Sequence, residues 1–242
     1  MHPAERHWRY YLELASVQSG ERVLDVGCGT GGMCRLAAAR VGRSGAAIGL
    51  DPSMARLGEA LQQPAAPDAG TVRYVAGRGE ALPFADSSFD VVLSLESVEY
   101  MHDPAAFVRE AYRVLRPTGR LVLVHRDYDT LTVTIRDRML ARRITAALSD
   151  AGPDGWAGRR LWRYLQAAPW SARRVLAYTP VLTSYAEMRA EFGWIDAWLK
   201  KLVRDGTIPA ADVQRWQAEQ EAADAAGEYL FSLTRFICIG VK

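Results

Sequence analysis

The sequence predicts an α/β fold built on a doubly wound sheet, and three observations support that prediction. First, residues 23–26 read Val-Leu-Asp-Val, and a short apolar run of this kind is typical of a buried parallel strand. Second, three glycines with a spacing of two follow at Gly27, Gly29 and Gly31, where missing Cβ atoms permit a sharp turn close to a ligand. Third, apolar residues recur at helical spacing over 33–41, so the order is strand, glycine turn and helix.

A second strand is predicted over residues 46–50, and Asp51 follows it directly. A carboxylate at this distance from the glycine turn is well placed to accept both hydroxyls of a ribose. The alternative interpretation is an exposed turn acid before Pro52. The glycine pattern lacks the last glycine of the dinucleotide fingerprint, which argues against a pyrophosphate-bearing ligand.

Alternating helices and strands extend this pattern to residue 125. Pro104 suits the first turn of a helix and Pro117 cannot continue one. Because right-handed crossovers make such strands parallel, ligands are expected at the carboxyl ends of the strands. The predicted helices span residues 4–18, 31–41, 52–63 and 104–115, and the predicted strands 22–27, 46–50, 71–75, 90–94 and 120–125.

Beyond residue 126 the pattern is less regular and indicates two helical insertions. A helix is predicted from Leu131 to Leu148, and another from Met188 to Leu202. Further elements are a helix at 158–168, a strand at 173–183, a helix from Pro209 to about Ala226 and a last strand at 231–241. The predicted organisation is a core at 1–127, a cap insertion at 128–157, a core helix and strand at 158–183, a second cap insertion at 184–227 and a final core strand at 228–242.

The stretch from Val23 to Gly31 resembles motif I of the class I S-adenosylmethionine (SAM) methyltransferases. Other stretches follow in that family's order: Gly49–Ser53, Glu80–Phe84, Ser88–Val92 and Arg113–Leu121. The resemblance covers roughly residues 8–126 and is closest to the ubiquinone/menaquinone-type small-molecule methyltransferases. It implies a Rossmann-like, doubly wound, seven-stranded sheet whose last strand is antiparallel, to which the two insertions add a helical cap.

The resemblance also implies SAM as cofactor, with S-adenosylhomocysteine as product. By this resemblance, Asp51 would hold the ribose, and Pro52 and Met54 would flank the adenine. Arg78 stands where the family usually has an acid that binds the adenine amine. Arginine has no acceptor, so one contact to the adenine amine is lost; Arg78 could instead stack on the ring, while the Gly79 N–H could still reach the base. The residues expected to bind the cofactor are Tyr10, Gly27, Cys28, Gly29, Gly31, Asp51, Pro52, Met54, Arg78, Gly79, Glu80, Glu96 and Ser97.

Two residues are candidate general bases. Methyl transfer is an in-line displacement that positioning alone can accelerate strongly, and a base is needed only if the acceptor must lose a proton. His125 ends the fifth predicted strand and is expected to face the reaction side. Glu99 is a candidate through the resemblance, because related enzymes often have a histidine pair at this point of the loop after the fourth predicted strand, residues 90–94. For His125 a structural histidine that is hydrogen-bonded to a neighbouring carboxylate is the competing interpretation. No metal is implied.

Composition limits the partners and the compartment. The chain has 242 residues, 24% charged residues and a net charge of +2, which argues against nucleic acid as the partner. Its three cysteines lack metal-ligand spacing and are expected to be reduced thiols in a cytoplasmic protein. Neither a leader segment nor a membrane span is expected. A small-molecule methyl acceptor and a monomer or homodimer are predicted.

The predicted cap carries two compositional signals. Residues 131–176 hold nine arginines against three acids, which suits an anionic acceptor or, alternatively, solvated and paired helix faces. Six of the seven tryptophans follow residue 150, as expected for helix packing or for a pocket that binds a flat apolar acceptor.

Together these features predict methyl transfer from SAM to an O, N or C atom of a small, aromatic or polycyclic metabolite in natural-product or quinone-type biosynthesis. Two alternatives remain open. One is a tRNA or protein methyltransferase, supported by the arginine-rich segment. The other is a methyltransferase-fold protein that binds SAM without transferring its methyl group, which the missing adenine-binding acid leaves possible.

Overall fold

The computed structural model describes residues 3–242; Met1 and His2, the start of the predicted core, lie outside the described residues. The chain divides into two compact units. Unit 1 comprises the chain up to His125, Arg160–Leu176 and Ile237–Lys242, and unit 2 comprises Arg126–Arg159 and Ala177–Phe236.

The helices and strands alternate as far as the fifth strand. In chain order the helices are α1 (Pro3–Leu14), α2 (Gly32–Val41), α3 (Met54–Leu61), α4 (Pro104–Val114), α5 (Arg138–Asp150), α6 (Ala157–Leu165), α7 (Tyr185–Phe192), α8 (Trp194–Arg204) and α9 (Ala210–Ala225). The strands are β1 (Arg22–Val26), β2 (Ala46–Asp51), β3 (Thr71–Ala76), β4 (Phe89–Leu95), β5 (Leu115–Arg126), β6 (Thr132–Val133), β7 (Ala172–Tyr178), β8 (Val181–Leu182), β9 (Phe231–Ser232) and β10 (Arg235–Val241).

A seven-stranded sheet has the order β3-β2-β1-β4-β5-β10-β7. Its first five strands are parallel, and the central pairs are in register, with Asp25 opposite Gly49 on β2 and Leu93 on β4. The last strand is antiparallel, because Lys242, which follows the end of β10, exchanges hydrogen bonds with Thr118 and Gly119 early in β5. The predicted Rossmann-like sheet and its antiparallel last strand are confirmed.

The order of the strands places their functional ends together. Burial is nearly complete along β1 and β4, as expected for central parallel strands with both faces covered. Since the order changes direction at β1, the carboxyl ends of β1, β2 and β4 lie at the point where ligands bind in doubly wound sheets.

Unit 2 has its own hydrophobic core, in which Phe192, Trp216 and Phe231 are among the largest fully buried side chains. A small antiparallel sheet, β6-β9-β8, also lies within it and was not predicted. Among the described residues, no helix combines the length and the apolar character needed to cross a membrane.

Three element predictions in the second half are wrong in detail. The helix expected from Leu131 begins only at Arg138, where the Asp137 carboxylate caps it by accepting from two backbone N–H groups. The helix expected from Met188 to Leu202 is broken at Gly193 into α7 and α8. The strands expected at 173–183 and 231–241 each divide into a long strand and a two-residue strand.

Candidate functional site

The glycine turn after β1 holds backbone and side chains too close for a Cβ atom. Gly27, Gly29 and Gly31 all have positive φ, at 77°, 54° and 75°. A Cβ on Gly27 would collide with the side chain of Ser97 after β4, and one on Gly31 would collide with the Tyr74 ring on β3. The turn is therefore packed against β3 and against the segment after β4, and glycine is required at these positions because a Cβ atom would not fit.

Asp51 is buried at the end of β2, with 6% of its surface exposed. Its Oδ2 accepts a hydrogen bond from the Gly29 N–H at 2.8 Å, and its Oδ1 accepts one from the Ser53 N–H at 2.9 Å. These two bonds fix the carboxylate between the glycine turn and the start of α3. Each oxygen keeps a further lone pair for a ligand hydroxyl.

A cavity of about 300 Å³ opens at these strand ends. It contains three carboxylates and two guanidinium groups, and all of its lining residues belong to unit 1. The lining consists of Val26, Gly27, Leu50, Asp51, Pro52, Ser53, Arg56, Arg78, Gly79, Glu80, Glu96, Ser97, Tyr100 and Met101.

Eight of the predicted cofactor-binding residues line this cavity: Gly27, Asp51, Pro52, Arg78, Gly79, Glu80, Glu96 and Ser97. Five do not. Gly29 and Gly31 shape the turn through their backbone, and Cys28 is buried with its thiol directed to the Gly29 carbonyl. Met54 does not flank the cavity, because it begins α3 with 70% of its surface exposed. Tyr10 lies half-buried on α1 and is not in the lining either.

Arg78 begins a tight turn beside the cavity. The Ala81 N–H donates to the Arg78 carbonyl, and the Glu80 carboxylate accepts from the His102 N–H at 2.8 Å. Since Ala76 pairs with Asp51 in the sheet, this turn is next to the Asp51 carboxylate. The arginine therefore occupies the β3 side of the cavity, where the resemblance implies an acid.

Glu96, His125 and Glu99 form a cluster of side chains, and of these three Glu96 lines the cavity. Its φ of 52° is uncommon for a residue with a side chain, and such strain is concentrated at functional sites. One carboxylate oxygen of Glu96 lies 3.7 Å from His125 Nδ1, and a carboxylate oxygen of Glu99 lies 3.5 Å from His125 Nε2. The three side chains form an acid–imidazole–acid arrangement.

The two candidate general bases, His125 and Glu99, are buried and do not line the cavity. The His125 side chain has no exposed surface and that of Glu99 has 4%, and neither residue belongs to the cavity lining. Of the three clustered side chains, Glu96 alone is in the cavity lining.

Buried ionisable groups lie beneath the glycine turn. Burial and, secondarily, the nearby Asp51 carboxylate raise the pKa of Asp25 to about 7. Burial, followed by the Asp25 carboxylate, also raises the pKa of the Cys28 and Cys34 thiols, so that they stay protonated at neutral pH. Among the described residues no group of histidine, cysteine and acidic side chains could hold a metal ion.

Several residues of the site were missed from the sequence. Arg56 could have been predicted from the sequence. Ser53 caps α3 by accepting a hydrogen bond from the Arg56 N–H, which places Arg56 about one helical turn after Asp51. Tyr100 and Met101 belong to the segment after β4, in which only Glu96, Ser97 and Glu99 were predicted as site residues. Asp25 carried a signal as the one acid in the apolar run of residues 23–26. The other missed lining residues are Val26, Leu50 and Ser53.

Unit 2 contains a separate open groove of about 400 Å³. Its floor includes Leu131 and Val133, and Arg138 and Arg142 stand on one face of α5 beside it. No aromatic residue lies among the described residues of its lining. Other arginines of the basic segment are paired instead, as Arg143 is with Asp212 at 2.8 Å.

Residues 24–123 match the family model described as a methyltransferase domain. The chain is 30% identical over 229 residues to an uncharacterized 37.1 kDa protein in transposon TN4556 of Streptomyces fradiae, covering 94% of this chain and 64% of that protein. It is 32% identical to the arsenite methyltransferase of Halobacterium salinarum, over 66% of this chain and 48% of the relative.

The chain is also 34% identical to the ubiquinone/menaquinone biosynthesis C-methyltransferase UbiE of Legionella pneumophila, over 48% of this chain and 47% of the relative. It thus spans less than two thirds of the length of each of these relatives. Among solved structures, the YcgJ protein of Bacillus subtilis superposes with a TM-score of 0.62 at 22% identity, covering 98% of both chains. That similarity supports the fold.

Proposed function

We propose that this chain is a class I SAM-dependent methyltransferase that transfers the methyl group of SAM to an O, N or C atom of a small, aromatic or polycyclic metabolite. The match of residues 24–123 to a methyltransferase domain and the similarity to a UbiE methyltransferase support this proposal. The observation that carries the proposal is the Asp51 carboxylate. It is held by two backbone N–H groups beside the glycine turn and opens into the cavity.

The residues of the cavity fit SAM. Asp51 offers two acceptor oxygens to a ribose diol, and the glycine turn, whose Gly29 N–H donates to Asp51, holds this carboxylate in place. On the β4 side the Glu96 carboxylate is a partner for an ammonium group. The opposite, β3 side is left for the base, beside Arg78 and Gly79.

When bound, SAM supplies an electrophilic methyl group on a sulfonium. The work of the protein is then to hold that group and its acceptor at attack distance, which supplies a large part of the barrier reduction. Since His125 and Glu99 are buried and do not line the cavity, we assign neither as a base that touches the acceptor. An acceptor with a low pKa, such as a phenol or a hydroquinone, needs little help from a base.

An organic acceptor suits the chain better than arsenite, the acceptor in the name of one relative. All three cysteines are free and buried. Burial raises the pKa of each thiol, whereas the soft thiolate ligands that bind such an ion must be deprotonated and accessible. Three relatives are named as methyltransferases of 2-methyl-6-phytyl-1,4-hydroquinone, of ubiquinone/menaquinone biosynthesis and of tocopherol, which supports a ring-containing acceptor.

The first experiment is calorimetric titration with SAM and with S-adenosylhomocysteine, followed by a radiolabelled methyl-transfer screen of phenols, hydroquinones and polycyclic metabolites. We expect micromolar binding of both nucleosides and transfer to at least one ring-containing acceptor. Binding of neither would refute the proposal. Binding without transfer to any acceptor would favour a methyltransferase-fold protein that does not methylate.

A tRNA or protein substrate is tested in the same preparation. Nucleic-acid binding would weaken steeply with salt, since it releases counterions from the phosphates. With a net charge of +2, we expect no such salt-dependent binding. We further propose a cytoplasmic location and a monomer or homodimer, which cell fractionation and light scattering would check.

A further inference from the structure

The open groove of unit 2, about 400 Å³ in volume, is not used by the proposed reaction. All of its lining residues belong to that unit. One side is a face of α5 whose residues recur at spacings of three and four and therefore lie next to one another on the helix: Arg138, Ala141, Arg142, Thr145 and Ala146. The other lining residues come from the segment 129–133, which contains β6.

Arg138 and Arg142 bring two positive charges to the groove. Both residues are exposed, and in the part of the chain that the structure describes neither guanidinium has an ion-pair or hydrogen-bond partner. They stand four residues apart on α5, where like charges repel each other and destabilise a helix. An anion bound between them would remove that repulsion.

The acids nearest to these arginines in the sequence and in the groove are engaged elsewhere. Asp137 Oδ1 accepts from two backbone N–H groups of α5, and its Oδ2 accepts from Arg215 at 2.6 Å. Asp129 lines the groove, but its Oδ2 accepts from the Trp156 indole N–H at 2.6 Å and lies 3.5 Å from the Arg159 guanidinium. The positive charge on the α5 side is therefore left for a ligand.

The groove also offers apolar surface. Leu131 belongs to the core of unit 2, Val133 packs against that core, and Ala141 and Ala146 add small apolar side chains from α5. A ligand that covers these groups removes apolar surface from water, which an inorganic ion does to a much smaller extent. The groove therefore suits an anion that is joined to an apolar body, and its volume is in the range of small-molecule pockets.

A phosphate monoester matches two arginines better than a carboxylate does. A guanidinium donates two parallel hydrogen bonds to an oxyanion, and one such pair of bonds engages both oxygens of a carboxylate. The three terminal oxygens of a phosphate monoester can accept from two guanidinium groups at once. The Thr145 hydroxyl, which also lines the groove, is a further possible donor.

We propose that this groove binds a phosphate monoester of a small apolar compound. The phosphate lies between Arg138 and Arg142, and the apolar body covers Leu131 and Val133. The site is formed by unit 2 alone, and it does not rest on the proposed methyl transfer.

The test is calorimetric titration of the full chain with phenyl phosphate at about pH 7.5, where the ester is close to a dianion. Inorganic phosphate, benzoate and vesicles that contain phosphatidic acid are the comparison probes. We expect phenyl phosphate to bind about tenfold more tightly than inorganic phosphate, which lacks the apolar body, and than benzoate, whose carboxylate engages one arginine. Binding of the vesicles without binding of phenyl phosphate would identify a lipid surface as the partner and overturn the proposal.

Variants of adjacent arginines separate a site from general charge. Arg138→Gln and Arg142→Gln should each weaken the binding of phenyl phosphate about tenfold, with the fold checked by circular dichroism. Arg143→Gln is the matched control, because it removes the same charge from the same helix at a residue that pairs with Asp212 at 2.8 Å and does not line the groove. We expect this control to keep its affinity within about twofold, since an exposed charge outside the site is screened.

Three further outcomes would overturn the proposal. The first is an equal loss of affinity in Arg142→Gln and Arg143→Gln, which would reduce the effect to general charge. The second is binding of phenyl phosphate that is absent or no tighter than that of inorganic phosphate. The third is loss of phenyl phosphate binding in Arg78→Gln, which would place the ligand in the cavity of unit 1. The methyltransferase proposal is tested separately, by the titration with SAM.

Discussion

The Asp51 side chain is held in the site by hydrogen bonds from two backbone N–H groups. Replacing it with asparagine keeps its size but removes the charge and turns one acceptor into a donor. We expect Asp51→Asn to weaken SAM binding about thirtyfold, since a hydrogen bond to a charged group contributes about 2 kcal/mol. Calorimetry checks this, with Asp68→Asn as the exposed control.

A second outcome would contradict the ribose assignment. If Asp51→Asn binds SAM as tightly as the unmodified protein and remains folded by circular dichroism, Asp51 serves only the turn, through the N–H groups of Gly29 and Ser53.

At His125 the structure changes the expected effect of a substitution. A base that touches the acceptor would lower kcat when replaced. A histidine that orients Glu96 would instead raise the KM for SAM and leave kcat at saturation nearly unchanged. Because His125 is enclosed between Glu96 and Glu99, we expect His125→Gln to raise the KM for SAM about tenfold.

Steady-state kinetics with varied SAM checks this prediction, and His102→Gln, at an exposed loop histidine, is the control. Loss of kcat with an unchanged KM would return His125 to the role of base. Glu99→Gln provides a second readout: if the cluster orients Glu96, this substitution should raise the KM in the same direction.

At the level of elements, the glycine turn shows how packing against neighbouring strands constrains a motif. Gly31 and Gly206 have nearly the same φ, 75° and 74°, but an added Cβ would strike the Tyr74 ring at Gly31 and meet nothing within 4 Å at Gly206. Both Ala substitutions cost about 1 kcal/mol for the left-handed backbone. Gly31→Ala should cost about 2 kcal/mol more through overpacking.

Urea denaturation of the two variants measures the difference in the free energy of unfolding. The double variant Gly31→Ala/Tyr74→Ala should be more stable than the sum of the two single effects, because the obstructing ring is gone. Equal destabilisation by Gly31→Ala and Gly206→Ala would mean that the ring moves aside without cost.

The breaks among the later elements follow from residues that interrupt an otherwise helical pattern. Gly193 separates α7 from α8. Asp137 is the N-cap of α5, so this helix begins at Arg138 and not at Leu131. Apolar spacing indicates that a segment is helical, but caps and a short strand pairing such as Val133 with Phe231 decide where it begins.

On the scale of the whole molecule, each of the two units has its own interior, and unit 2 contains a buried ion pair. Arg235 and Glu191 are 3.3 Å apart with 5% and 6% of their side chains exposed. Removing one partner leaves a buried charge and costs about 3 kcal/mol or more. We expect Glu191→Ala to speed hydrogen exchange in unit 2 while β1 and β4 stay protected.

Mass-spectrometric hydrogen exchange checks this, with Asp196→Ala as the control, because its pair with Arg189 is half exposed on the arginine side. A uniform rise in exchange through both units would show that they unfold as one cooperative body. No change at all would mean that the charge of Arg235 is compensated by its other neighbours.

The sequence by itself determined the strand–turn–helix order, the carboxylate at Asp51 and the antiparallel last strand, because local spacing and a family resemblance suffice for these. Only the tertiary structure decided that His125 and Glu99 turn inward, that Met54 is exposed and that Asp25 is a buried acid beside Asp51. Burial and charge coupling depend on distances between strands that pack side by side, and the order of residues along the chain does not contain those distances.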